Sequence, residues 1–184
     1  MRKLKLQVQM TVDGYIGGPN GEMDWTNSNW DQGIIKYVTE LTEPIDCIVL
    51  GRKLAQGFIP HWASHPQEPG ADKFNSAKKV VFTKTLEKSE WANTVLAKGD
   101  LVDEITSLKR QEGKDIIAYG GANFVSALIK HTLIDDLHLF INPAAIGGGL
   151  SIFKELDRKQ NFTLVKVSPF ECGIVVLHYQ PKRD

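Results

Sequence analysis

Hydrophobic and polar residues alternate strictly near the start of the chain, and this period of two predicts a β-strand. In LKLQVQM, residues 4–10, every second side chain is apolar. The segment DLHLFIN (136–142) alternates in the same way. Short apolar runs and a C-terminal pair predict the other strands, which are CIVL (47–50), KVVFT (79–83), TVLA (94–97), DIIAY (115–119), NFTLVKV (161–167) and GIVVLHY (173–179).

Between these strands, apolar residues recur at spacings of three and four, which is typical of amphipathic helices. The spacing predicts helices over 33–41, over 101–108 and after Gly120-Gly121. The segment 57–70 contains three prolines and predicts an irregular surface loop. Strands separated by short helices predict one α/β domain over residues 1–184, with a mostly parallel sheet and an antiparallel C-terminal hairpin.

Charge and composition narrow the possible partners. The 184 residues include 22 Lys and Arg and 22 Asp and Glu, so no net field attracts nucleic acid or a membrane surface. No apolar run approaches the ~20 residues of a membrane helix, and the start of the chain predicts no signal peptide. Cys47 and Cys172 have no C-x-x-C spacing, so we interpret them as free thiols of a cytoplasmic protein.

Three predicted strands are followed by residues that suit an anionic ligand. Gly51-Arg52-Lys53, Thr83-Lys84-Thr85 and Gly120-Gly121 each come directly after an apolar run. In open α/β sheets, ligands bind outside the carboxyl ends of the strands. Cations, hydroxyls and bare N–H groups at a helix start together favour a ligand with several phosphates. The alternatives are solvated surface cations and a purely steric Gly-Gly turn.

Other candidate sites are weaker. His61 and His65 have a metal-like spacing, but prolines bracket them and no Glu intervenes, so we interpret them as loop histidines and predict no metal site. The G-x-G-x-x-G, G-x-x-x-x-G-K-[ST] and G-x-S-x-G motifs are absent from the sequence. Gly147-Gly148-Gly149 is either an approach for a ligand or a flexible turn.

The glycine-rich segment 13–21 predicts a loop, and apolar residues occur within it and just after it. Such a loop could fold an apolar wall over a planar ligand or simply pack on the core. Asp13 is either a ligand-binding residue or a turn residue that caps its own backbone.

The chain resembles the dihydrofolate reductase-like fold, a three-layer α/β/α arrangement. It is more closely similar to the C-terminal reductase domain of the bacterial riboflavin-biosynthesis deaminase–reductase. The resemblance covers nearly the whole chain and is carried by TVDGYIGGPNGEMDW (11–25), IVLGRK (48–53), YGGANFVSALI (119–129) and LIDDLHLFINPAAIGGGLSIF (133–153). The H-x-E and P-C-x-x-C motifs of the zinc deaminase half are absent, which implies a stand-alone reductase.

This resemblance implies a cofactor, NADPH, at the three strand ends. Arg52 would face the adenosine 2′-phosphate together with Thr83 or Lys84, and residues 121–124 would hold the diphosphate. The full implied cofactor set is Ile16, Gly51, Arg52, Lys53, Thr83, Lys84, Gly120, Gly121, Ala122, Asn123 and Phe124. The resemblance also implies a homodimer.

The substrate implied by the resemblance is a small pyrimidine, 5-amino-6-(5-phosphoribosylamino)uracil. Its binding residues would be Thr11, Asp13, Tyr15 and Trp25. The alternative substrate is a pterin or folate with Asp31 as the proton donor, although dihydrofolate reductases place their acidic residue nearer the position of Trp30. An alternative of another class is a non-catalytic nucleotide-binding module.

Overall fold

The computed structural model, which describes residues 1–182, contains one eight-stranded sheet and five helices. The strands are β1 Leu4–Thr11, β2 Ile45–Gly51, β3 Lys78–Phe82, β4 Thr94–Ala97, β5 Asp115–Ala118, β6 Asp136–Asn142, β7 Phe162–Pro169 and β8 Val175–Pro181. The helices are α1 Gln32–Thr42, α2 Arg52–Ser64, α3 Ala71–Ser76, α4 Leu101–Arg110 and α5 Ala122–Lys130.

The strand order is β4-β3-β2-β5-β1-β6-β8-β7. The strands β1 to β6 pair in parallel, and β8 runs antiparallel to both β6 and β7. The predicted fold class, a mostly parallel α/β sheet with an antiparallel C-terminal hairpin, is confirmed. Because the six parallel strands point the same way, their carboxyl ends meet at one edge of the sheet, and the predicted ligand-binding residues follow three of these ends.

Helices cover both faces of the sheet. The alternating residues of β1 pack with Ile105 of α4 and with Val125 and Leu128 of α5. On the opposite face, α2 and α3 cover β2 and β3, and α1 covers β6 and β8. The central strands are therefore buried on both faces, which explains why β2 and β5 appear in the sequence as continuous apolar runs.

The prediction of an irregular loop over 57–70 is wrong for its first half. Helix α2 continues through Pro60 to Ser64. Proline removes one backbone donor and normally ends a helix. Here Ile59 is buried, and the Phe58 ring packs edge-on against Trp62, with ring centroids 5.9 Å apart. This packing stabilises the last turn of α2 beyond the proline.

The Gly120-Gly121 turn has the geometry expected of a strand that passes directly into a helix. Gly120 has φ 150° and Gly121 has φ 82°, a region that is costly for residues with a Cβ. Helix α5 then begins at Ala122, as predicted.

Buried and partly buried polar side chains form a chain beneath α1, on the face that packs against β6. The Tyr37 hydroxyl lies 2.7 Å from Nδ1 of His138, and the His138 ring stacks on His178 with centroids 4.2 Å apart. Nε2 of His178 in turn lies 2.7 Å from Oδ1 of Asp136. Burial, followed by the neighbouring His178, lowers the pKa of His138 from its ordinary 6.5 to about 3. His138 is therefore neutral in the folded protein at physiological pH.

Strand β7 forms one edge of the sheet and pairs only with β8 among the described strands. Its side chains Leu164, Val165 and Val167 are about half exposed.

No helix within residues 1–182 is long and apolar enough to span a bilayer.

Candidate functional site

A cavity of about 550 Å³ opens at the carboxyl ends of β3 and β4, beside the start of α2. It is lined by four of the residues predicted to suit an anionic ligand, namely Arg52, Thr83, Lys84 and Thr85. The complete lining is Arg52, Phe82, Thr83, Lys84, Thr85, Ala97, Gly99, Asp100 and Leu101. The structure thus places Arg52, which follows β2, beside the residues 83–85 that follow β3.

The charges around this cavity are mixed, with a positive excess. Lys84 donates hydrogen bonds to the carbonyls of Lys98 (2.7 Å) and Gly99 (2.9 Å), which fix its ammonium group beside the cavity. Arg52 makes one long hydrogen bond, 3.5 Å, to Gln56 Oε1, and none of the ion pairs formed within residues 1–182 involves it. Asp100 is the one carboxylate in the lining. Arg52 therefore has a guanidinium group available for an anion.

Thr83 has a structural function that the sequence analysis did not predict. Its side chain is buried, and its Oγ1 accepts hydrogen bonds from the backbone N–H groups of Thr85 and Leu86, each at 3.1 Å. This hydroxyl shapes the turn after β3, and only its proton is left to donate to a ligand.

Two helices begin at this sheet edge with glycine instead of a capping side chain. Gly51 precedes α2 and Gly121 precedes α5, and neither helix has a side-chain hydrogen bond to its first turn. In contrast, α1 and α4 are capped by the carboxylates of Asp31 and Asp100. The first N–H groups of a helix lack intrahelical partners, and the N-terminus carries a partial positive charge. The starts of α2 and α5 are therefore open to an external acceptor.

These two helix starts lie against each other. A Cβ on Gly51 would come within 2.9 Å of Phe124 Cβ, so only glycine allows this approach. Leu54, in the first turn of α2, lies 3.8 Å from the position of a Cβ on either Gly120 or Gly121. The Phe124 ring also packs against Phe82, with centroids 5.1 Å apart. Two uncapped N-termini and the Arg52 cavity thus form one surface, whose donors fit the phosphates of a dinucleotide such as NADPH.

The loop after β1 is fixed by hydrogen bonds to residues 144–150. The N–H of Ile16 donates to the carbonyl of Leu150 (2.9 Å), and the N–H of Leu150 donates to the carbonyl of Gly17 (2.8 Å). A Cβ on Gly149 would lie 2.2 Å from the Gly17 carbonyl oxygen. Gly149 is therefore required for the close packing of the two loops, a role that neither interpretation of residues 147–149 included.

Asp13 connects the same two loops through its carboxylate. Its carboxylate accepts hydrogen bonds from the N–H groups of Gly147 (2.7 Å) and Ile146 (3.1 Å). The Thr11 hydroxyl and these amides hold the pKa of Asp13 below its ordinary value. Thr11 itself is buried at the end of β1, and its Oγ1 accepts from the N–H of Tyr15. Trp25 is partly exposed and donates its indole N–H to the carbonyl of Glu22.

Asp31 occupies the N-cap of α1, where both of its oxygens accept backbone hydrogen bonds. Oδ2 accepts from the N–H of Cys172 (2.9 Å) and Oδ1 from the N–H of Ile34 (3.0 Å). The bond from Cys172, followed by that from Ile34, lowers the pKa of Asp31. An ionised carboxylate held in this way is a poor proton donor near neutral pH.

Some predicted residues lie outside the cavity, and some unpredicted ones support it. Lys53 and Asn123 are exposed in the first turns of α2 and α5 and do not line the cavity. Leu54 and Asp100 were not predicted, although Asp100 has a sequence signal, because an acidic residue directly before an apolar helical pattern is a typical N-cap.

A second cavity of about 660 Å³ lies between α1 and residues 68–73, and none of the predicted site residues lines it.

Comparisons with known proteins concern the sequence family and the fold. The sequence profile of the family described as "RibD C-terminal domain" matches residues 2–176. The uncharacterized protein YyaP of Bacillus subtilis (strain 168) is 31% identical over 186 residues, covering 97% of this chain and 94% of YyaP.

Two solved structures share the fold. A protein of Shewanella sp. PV-4 named for riboflavin biosynthesis superposes with a TM-score of 0.76 at 24% identity and covers 100% of both chains. The diaminohydroxyphosphoribosylaminopyrimidine deaminase/5-amino-6-(5-phosphoribosylamino)uracil reductase of Thermotoga maritima has a TM-score of 0.73 at 18% identity, covering 98% of this chain and 57% of that chain. With a family profile that matches almost its whole length, the chain belongs to the RibD C-terminal domain family.

Proposed function

We propose that the protein is an NADPH-dependent reductase of a small pyrimidine-type substrate. The observation that carries this proposal is the pair of helix N-termini that have glycine instead of a capping side chain. They lie beside a cavity lined by Arg52, which forms no ion pair within residues 1–182. NADPH, when bound, supplies a hydride to the substrate. The protein contributes the binding and relative positioning of the two partners.

We assign the cofactor's phosphates to the two parts of the surface. The N–H groups at the start of α5 would hold the diphosphate, since the turn at Gly120 and Gly121 exposes them without a competing side chain. The Arg52 guanidinium would pair with the adenosine 2′-phosphate, assisted by Lys84. Charge-assisted hydrogen bonds of this kind are about twice as strong as neutral ones, so the 2′-phosphate would determine cofactor preference.

The leading substrate candidate is 5-amino-6-(5-phosphoribosylamino)uracil, which would be reduced at its ribose carbon. Family membership supports this candidate, and the Thermotoga maritima protein of the same fold is named as a reductase of this compound. Asp13, in the loop after β1, would contact the substrate, since β1 neighbours β5, the strand that leads to the Gly120-Gly121 turn. A second copy of the chain, expected from the resemblance, would pair through the exposed apolar side chains of β7.

Reduction of dihydrofolate is disfavoured by the hydrogen bonds of Asp31, because both oxygens of its carboxylate are engaged. We expect NADPH oxidation, followed at 340 nm, with the pyrimidine and not with dihydrofolate. Asp31→Asn should retain kcat within about threefold, since asparagine is an equally good N-cap for the Ile34 amide, and it should lower Tm, because its Nδ2 cannot accept the Cys172 N–H. Asp24→Asn, an exposed change in the loop that precedes α1, is the matched control.

The assay separates the three candidate functions. Turnover of dihydrofolate alone, abolished by Asp31→Asn and untouched by Asp24→Asn, would contradict the proposed substrate. Tight NADPH binding without oxidation across pterins, pyrimidines and simple carbonyls would identify a non-catalytic nucleotide-binding module instead.

A further inference from the structure

Three side chains that can ligate a metal ion converge at the C-terminal end of α2, away from the nucleotide surface. His61 lies in the last turn of α2, His65 is its C-cap residue, and Glu68 lies in the turn that follows. One ligand atom from each of these residues lies within 4.8 Å of the other two. The interpretation of the two histidines as loop residues is wrong for His61, because α2 continues past Pro60 to Ser64, and the ring of His65 stacks on that of His61 with centroids 4.5 Å apart.

We propose that His61, His65 and Glu68 form a binding site for a divalent transition-metal ion, Zn²⁺ in particular. Two imidazoles and one carboxylate are ligands that Zn²⁺ uses when its fourth position is left to water. Nε2 of His61 already lies 3.2 Å from Oε2 of Glu68, close to the roughly 3.3 Å that separates two ligands of a tetrahedral zinc ion with bonds of about 2.0–2.1 Å.

The orientation of His65 supports this assignment. Its Nδ1 lies 2.8 Å from the carbonyl oxygen of His61 and 3.0 Å from the Ser64 hydroxyl. A carbonyl can only accept, so Nδ1 carries the proton and the lone pair of the neutral ring lies on Nε2. Ligating histidines typically donate their other N–H to a carbonyl in this way, which fixes the ring and its tautomer.

The backbone and the local charge also favour a cation here. The N–H of Glu68 donates to the carbonyl of His65 (3.1 Å), so the turn that presents the carboxylate is ordered with the helix end. The C-terminus of a helix carries a partial negative charge. The side chains of His61 and Glu68 are 46% and 38% exposed, so an ion can reach them from solvent without unfolding.

The proposed ion would act as a clamp and not as a catalyst of the reductase reaction. Arg52 and His61 are nine positions apart on α2, which corresponds to about 14 Å along the helix axis. The ion would tie the end of α2 to the turn that leads into α3, and one coordination position would remain open to water. We therefore expect it to raise Tm without changing NADPH affinity.

The test is titration of the chelator-treated full chain with ZnSO₄ against a chromophoric chelator. We expect one Zn²⁺ per chain with a Kd of about 1 μM or tighter, and each of His65→Gln and Glu68→Gln should weaken binding about tenfold or more. His131→Gln is the matched control, since His131 is an exposed C-cap of α5 outside the cluster. Substitution by Co²⁺ should give the visible absorption of a four-coordinate nitrogen and oxygen site.

Two outcomes would overturn the proposal. One is the absence of Zn²⁺ binding in this range. The other is binding that His65→Gln and Glu68→Gln leave as strong as in the control, which would place the ion elsewhere on the chain. All three ligand residues are at least partly exposed, so their variants should fold as the wild type does, which far-UV circular dichroism verifies.

Discussion

Acidification from pH 6.5 to pH 3 is expected to remove up to about 5 kcal/mol of the free energy of unfolding through His138 alone, since one pKa unit corresponds to about 1.4 kcal/mol. The unfolded chain protonates this histidine near 6.5, whereas the folded chain does so only near 3. Between these values the unfolded state binds more protons, so stability falls as the pH falls. The stabilisation is fully present above pH 6.5.

The surroundings of His138 explain why its protonation is so unfavourable. The ring is buried under α1, faces the Tyr37 hydroxyl and stacks on His178. Burial has the largest effect on its pKa, the charge of His178 adds to it, Asp136 opposes it, and Lys5 adds a smaller contribution. A protonated His138 would hold its positive charge on a ring that is only 6% exposed and stacks 4.2 Å from the His178 ring.

Urea unfolding at a series of pH values tests this prediction. His138→Asn keeps a polar atom near the position of Nδ1 but cannot be protonated, so its stability should fall less steeply below pH 6.5 than that of the wild type. His131→Asn, at the exposed end of α5, should follow the wild-type curve. If wild-type and His138→Asn curves ran parallel between pH 6.5 and pH 4, His138 would not be the buried neutral group described above.

Gly121→Ala is expected to reduce NADPH affinity at least tenfold, roughly 1.4 kcal/mol. The added methyl group would stand where the diphosphate is proposed to approach the first N–H groups of α5. Within the protein it would meet nothing closer than Leu54 Cβ at 3.8 Å, so the fold should tolerate it. The positive φ of 82° adds a backbone cost that lowers Tm as well.

Gly70→Ala separates the loss of cofactor binding from the loss of stability. Gly70 is also a glycine at a helix N-cap with positive φ, 90°, and a Cβ there would meet no atom within 4 Å. It should lower Tm in a similar way and leave the NADPH dissociation constant unchanged. An unchanged dissociation constant in a folded Gly121→Ala protein would refute the proposed diphosphate contact.

Local patterns were sufficient to predict most of the sheet and the position of the candidate site. The alternation of Leu4, Leu6 and Val8 identified β1, and the residues after the ends of β2 and β3 were brought together as expected. Parallel strands make this possible, because a strand end identified in sequence has a known position at the edge of the sheet. Gly120 and Gly121 were identified in the same way, and their positive φ values are confirmed.

The contacts that could not be predicted from the sequence join residues that are far apart in the chain. The amides that bind Asp13 are more than 130 residues away, and the Cys172 amide that binds Asp31 is 141 residues away. The second half of α2, beyond residue 57, was missed because Pro60 normally ends a helix, and packing of Phe58 and Trp62 overrides that preference. The His61 and Glu68 cluster was missed for the same reason, since it requires the helix to continue.

The central claim, that the surface formed by α2, α5 and the Arg52 cavity binds the phosphorylated cofactor, is tested most directly by nicotinamide fluorescence. Wild-type protein titrated with NADPH and with NADH should bind NADPH about tenfold more tightly or better, because a guanidinium–phosphate pair contributes roughly 1.5–3 kcal/mol. Arg52→Gln should remove most of this preference and leave NADH binding unchanged. Equal binding of the two cofactors by the wild type, or no binding of either, would contradict the account.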